Sequence, residues 1–152
     1  MESLRLAKFS KAVRDSTQKR LNTVPPGFEN WKISRNAMSF SDVALHLIEC
    51  DKWLFQKMKH DDLQPITGKA GSIIVKDRFE YQSLLNELEL MGQNRYRLIN
   101  DLKEDEYNRI IFDSRFDGNV TVWWIIVRGN LDHEIHHRGQ LVAYHRVLLD
   151  KK

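Results

Sequence analysis

The chain has 152 residues, 41% hydrophobic and 30% charged, with a formal net charge of +3 and a pI near 9.0. That balance excludes a disordered chain, and its 24 Lys and Arg are interspersed with 21 Asp and Glu, leaving no basic block for nucleic acid. No apolar run reaches the roughly 20 residues of a membrane span, the N-terminal stretch lacks a signal-peptide core, and a lone Cys50 cannot form an internal disulfide, so a soluble cytoplasmic protein without nucleic-acid or membrane partners is expected.

Helical periodicity dominates the pattern. In the first segment Leu6, Phe9, Val13 and Leu21 share a face, and Pro25, Pro26 and Gly27 end it. A linker carrying Trp31 follows, expected to pack down on the fold. Ser39 and Asp42 then form a capping-box pattern ahead of Val43, His46, Leu47, Cys50, Trp53 or Leu54, and Met58. Pro65, Gly68 and Gly71 mark a loop. From about 75 to 102 a third helix presents Tyr81, Leu84, Leu85, Leu88, Met91, Leu98 and Leu102. Ile110, Ile111 and Phe112 with the turn pair Asp117-Gly118 suggest a short hairpin. A last helix over about 119–149 is capped by Asn119 or Thr121 and contains Gly129 and Gly139. Four long amphipathic helices with mostly modest connections predict an all-α four-helix bundle.

The chemistry concentrates in "DHEIHHRGQ", residues 132–140. His133 and His137 are four apart, which on a helix places both on one face. That face also carries Ile126, Asn130, Leu141, Tyr144 and Leu148, and should be buried. Buried imidazoles need partners, and a metal ion supplies one. His46, on the apolar face of the second helix, adds a third imidazole, and bundles build metal sites from facing helices. A His46, His133, His137 set would leave an open coordination position, as catalytic sites do. His136 points about 100° away from His137 and reads as a neighbouring or surface residue; His60 reads as solvated. Cys50 is one turn after His46 and reads as a ligand or a small core residue, and Glu49 as an orienting group or substitute ligand.

His133, Glu134 and His137 also spell H-E-x-x-H, the zinc-peptidase pattern. The residues after His137 supply no downstream Glu, and His145 lies on the same helix without the needed spacing. A helical bundle also offers no strand along which to lay a peptide. The match reads as a coincidence of spelling.

"SFSDVALHLIECDKWLF" followed near the C-terminus by "HEIHHRGQLVAYHRVLL" resembles the DinB-like superfamily, which includes the YfiT-like proteins. The resemblance spans nearly the whole chain and implies a single domain over 1–152, a bundle in a mirror variant of up-and-down topology. It implies a divalent metal, zinc or nickel, held by His46, His133 and His137. Arg138, Gly139 and Gln140 match the family's residues after the last ligand, and Arg146 its terminal arginine, with His145 standing where the family has Leu. Some members are transferases acting with a low-molecular-weight thiol, so a small-molecule substrate and a homodimer are implied. In that reading Arg138, Arg146 or Tyr144 steers an acidic co-substrate. The alternatives are a metal-dependent hydrolase with Glu49 or Glu134 as base, and a non-catalytic metal-binding dimer joined through the surface around Trp123-Trp124.

Overall fold

A computed structural model describes residues 2–59 and 63–150. Helix α1 is Glu2–Asn22, α2 Phe40–Lys57 and α3 Arg78–Asp101. The last helix, α4, is continuous over 122–150. The predicted capping box is present: Asp42 N–H donates to Ser39 Oγ, and Ser39 N–H to Asp42 Oδ2, both at 2.9 Å. Strands β1 (Ile110–Asp113) and β2 (Gly118–Thr121) pair antiparallel, with Ile111 opposite Val120. Asp117 and Gly118 both take positive φ at the turn, which suits an Asp-Gly pair. β2 occupies 118–121, so of the two candidate caps Thr121 is used, its Oγ1 accepting from Trp124 N–H at 3.1 Å.

Side-chain bonds fix the helix directions. Tyr81 O–H donates to Leu21 O, and Ser3 O–H to Leu102 O, so α1 and α3 are antiparallel. Tyr144 O–H donates to Met38 O, and Asn130 Nδ2 to Cys50 O, so α2 and α4 are antiparallel. Arg14 meets Glu134, and His145 donates to Arg20 O, so α1 and α4 run together. α2 and α3 therefore also run the same way, and the chain between them must return along the bundle. The described part of 58–77, expected as a loop, does this as a strap. Trp53 Nε1–H donates to Gln64 O, Gly71 and Ile73 donate to the Asp42 carboxylate, and Val75 N–H donates to Asn30 Oδ1. The solvated role expected of His60 lies outside the described residues.

Two apolar clusters fill the bundle. One joins Leu21, Phe40, Leu47, Tyr81, Leu88, Leu141 and Tyr144. The other joins Ala7, Leu54, Ile99, Ile111, Ile125 and Leu131. The buried face of α1 is Ser3, Ala7, Ser10, Val13, Arg14, Thr17 and Leu21. Phe9, expected on that face, is 48% exposed. On α3, Gly92, Arg95 and Ile99 are buried where Met91 and Leu98 were expected; both of those are half-buried. In α4 the stretch Ile125–Leu131 is π-helical. The wider turn advances the buried face, and beyond it Glu134, His137, Leu141, Tyr144 and Leu148 point inward.

Between the clusters lies a layer of charge. Arg14 (α1) bonds Glu134 through Nε and Nη2 at 3.1 and 2.7 Å, Asp51 at 2.7 Å and Leu88 O at 2.7 Å. Arg95 (α3) bonds Glu134 at 2.7 Å, Asn130 at 3.0 Å, Asp51 at 3.2 Å and Ser10 Oγ at 2.7 Å. Thr17 O–H adds a bond to Glu134 Oε2 at 2.7 Å. Arg14, Asp51, Arg95 and Glu134 are all at most 3% exposed. Burial alone would push the Glu134 carboxyl up, but Arg95 and Arg14 outweigh it and hold it below the usual range. Burial alone would likewise ease the proton off Arg14, and the charges of Asp51 and Glu134 reverse that. A Cβ at Gly92 would stand 2.8 Å from Arg14 Cγ, so only glycine lets α3 come this close.

Glu134→Gln leaves two buried guanidiniums short of a charge. It should cost about 3–5 kcal/mol in metal-free protein, read from denaturant unfolding. Thr17→Val, which removes one hydrogen bond to the same carboxylate, should cost about 1 kcal/mol.

Candidate metal centre

The groove between α2 and α4 brings together four side chains. His46 and Cys50 come from one turn of α2, and His133 and His137 from one turn of α4. Facing Nε2 atoms of His46 and His133 are 3.4 Å apart, and those of His133 and His137 are 3.0 Å apart. The ring centroids are 4.5–5.0 Å apart and the rings cross edge-on. Ligands at about 2.1 Å around a tetrahedral ion are roughly 3.4 Å from one another. His46, Cys50 and His133 have ligand atoms within 4.8 Å of one another, a group able to hold a metal. Cys50 Sγ lies 3.5 Å from His133 Nδ1, on the opposite side of that ring from its Nε2, and 3.6 Å from His46 Nε2.

His137 Nδ1 is 2.8 Å from Gln140 Oε1. An amide oxygen only accepts, so Nδ1 carries the proton and Nε2 presents its lone pair. Burial lowers His46 and His133 to about 4, helped by the neighbouring rings, and lowers His137 as well. All three are therefore neutral near pH 7, the form that binds metal. Lone pairs facing each other at 3.0–3.4 Å repel unless something positive lies between them. A proton satisfies one contact, and a cation satisfies all of them. Burial pushes the Cys50 thiol up to about 12, with Asp51 adding to it.

The strap closes over this groove. A Cβ at Gly68 would stand 2.8 Å from Met38 Sδ and 3.0 Å from the His46 ring. The other residues singled out in the sequence fall as follows. Glu49 is exposed and takes no place among the imidazoles. Both Glu134 oxygens are taken by Arg14, Arg95 and Thr17. His136 is exposed, with its ring nitrogen 3.4 Å from Gln140 Nε2. Arg138 is half-buried and Arg146 exposed. Tyr144 is a packing residue, its hydroxyl spent on Met38 O and its ring set edge-on against Trp31 and Phe40. His145, which had no assigned role, ties α4 to the end of α1 through Arg20 O at 2.7 Å. A cleft of about 520 Å³, lined by Lys8, Gly92, Tyr96 and Arg97, lies between α1 and α3, on the far side of the bundle. It opens onto Arg14 and not onto the imidazoles.

A helical bundle with a buried histidine cluster between two facing helices defines a class of candidate metal-binding bundles. Residues 1–148 match the model of the DinB family, and the chain belongs to that family. Its fold is similar to the crystal structure of a DinB-like protein, YjoA, from Bacillus subtilis, with a TM-score of 0.71 and 18% sequence identity, over 95% of this chain and 91% of that one. No curated protein matches the chain.

Gln140→Ala frees the His137 ring to turn and to change tautomer. Metal affinity should fall about 10–100-fold with the fold intact, measured by competition with a chelating dye. An unchanged affinity would show that the Gln140 contact does not set the ring.

Proposed function

We propose that this protein binds a divalent ion, zinc or nickel, through Nε2 of His46, His133 and His137, and is a transferase that joins a low-molecular-weight thiol to a small electrophilic substrate. The observation that carries the reading is the His137 tautomer, fixed by Gln140, with the Nε2 atoms of His133 and His46 following at 3.0 and 3.4 Å steps. Cys50 then backs His133 from the Nδ1 side, where sulfur accepts an N–H, and the three imidazoles leave a coordination position open. When bound, the ion supplies Lewis acidity, favouring the deprotonated form of a thiol or water that reaches it. The chain's own contribution is to hold three neutral donors in fixed rotamers, under a strap that limits water.

The thiol reading is favoured over a hydrolase for a specific reason. An ester or amide hydrolase also needs a group that carries the proton of the bound water to the leaving group, and neither carboxylate proposed for that role is available. Glu49 faces solvent, and Glu134 is committed to two arginines and a threonine. A thiol already activated by the ion needs no such group. The reading includes a homodimer: Phe9 and Trp123, 48% and 43% exposed, line one groove with Leu6.

Elemental analysis of protein purified without an affinity tag should give about one divalent ion per chain. Ala at His46 or His137 should abolish binding, while Cys50→Ser should retain it. Metal-loaded protein should conjugate a thiol to a generic electrophile. Ester turnover without thiol would favour the hydrolase, and sedimentation at monomer mass would contradict the dimer.

A further inference from the structure

Arg115 sits on the hairpin turn between β1 and β2. Its guanidinium lies 4.6 Å over the Trp53 ring and 5.2 Å from Phe116. Nε and Nη2 both bond the buried Asp113 carboxylate, at 3.1 and 2.8 Å, and the Arg115 N–H adds a third bond at 2.9 Å. Nη1 has no hydrogen-bond partner among the described residues. The buried guanidiniums differ: Arg14 and Arg95 each use Nε, Nη1 and Nη2 in hydrogen bonds. Arg115 is thus gripped along one edge and left open along the other, with its side chain 32% exposed.

Its place relative to the imidazoles follows from the two helices it touches. Trp53 is three residues after Cys50 on α2. Gly129 is four before His133 on α4, and a Cβ there would stand 3.2 Å from Arg115 Nη2. Glycine at 129 lets the guanidinium enter the α2–α4 groove. It therefore sits about one helical turn, roughly 5–6 Å along the axis, from the Cys50–His133 pair. Behind burial and the neighbouring rings, the Arg115 charge also helps lower His133, and it opposes the rise of the Cys50 thiol. Lys57 is a second cation at this junction, 5.8 Å from the Trp53 ring with Nζ bonded to Leu63 O and Phe112 O. Asp113 is the acid that answers them.

We infer that Arg115 is a specificity-determining residue that receives a carboxylate, or a similar anionic group, on a small ligand whose donor atom reaches an ion held by the three Nε2 atoms. The inference rests on the metal-binding reading above and names the substrate class it lacks: a compact molecule with a soft donor and an anion about one helical turn apart. A guanidinium suits this better than an ammonium, because the edge held by Asp113 aims the free edge.

The test uses full-length protein loaded with cobalt(II) and two thiols of similar size, 3-mercaptopropionate and 2-mercaptoethanol, followed by the cobalt–sulfur absorption. The wild type should bind the anionic thiol about tenfold more tightly. Arg115→Met should erase the preference, and Arg115→Lys should keep part of it, each with the cobalt spectrum of the unliganded protein unchanged. Should Arg115→Met fail to fold, the wild-type ratio and Arg115→Lys decide the matter. Normal cobalt bands with equal affinities for the two thiols would overturn the inference alone. No cobalt bands at all would overturn the metal reading and the inference with it.

Discussion

The layer of Arg14, Asp51, Arg95 and Glu134 is the constraint on which the rest of the molecule depends. Buried charges are tolerated only when paired and hydrogen-bonded in full, because each one taken from water costs several kcal/mol. Here the partners come from all four helices, so the layer closes only if every helix has the right rotation and height. An apolar layer of equal volume would give comparable stability but would tolerate sliding. The charged one fixes α4 with Glu134 inward, and so places its neighbour His133 and, one turn on from that, His137 along the α2 side. Asp51 does the same for α2, turning Cys50 and His46 towards α4.

The α2–α4 groove inherits two further features. The π-helical Ile125–Leu131 stretch brings Asn130 to Cys50 O, Asp51 and Arg95, and Gly129 to Arg115. The strap, pinned by Asp42 at one end and by Trp53 at the other, lays Gly68 on the His46 ring. Asp42 caps α2 and anchors the strap with the same carboxylate, so the start of the helix and the cover of the site are held by one side chain.

What was legible in the sequence was local. Periodic leucines, the Ser39–Asp42 box and the Asp117-Gly118 turn each act over a few residues, and each is present. The i,i+4 histidines and His46 were legible for the same reason, and the family resemblance supplied Gln140 without its role. The charge layer was not legible, because an arginine reads as solvated until its partner, up to 120 positions away, is known. Phe9 was assigned inward and Arg14 overlooked on the same helix, since hydrophobicity alone ranks them the wrong way round. A clue existed: Arg95 falls on the stripe of Leu85, Leu88, Gly92 and Ile99 at spacings of three and four. The H-E-x-x-H spelling was read as a coincidence. Even so, its Glu134 is no idle letter: it is the carboxylate that both arginines grip.

Three imidazole nitrogens, without sulfur, are proposed to converge on one ion. X-ray absorption at the zinc edge of zinc-loaded protein tests it most directly. The first shell should be nitrogen and oxygen near 2.0–2.1 Å, with outer-shell scattering from imidazole rings. A sulfur at about 2.3 Å in thiol-free buffer would make Cys50 a ligand, and a first shell with no imidazole scattering would remove the site altogether.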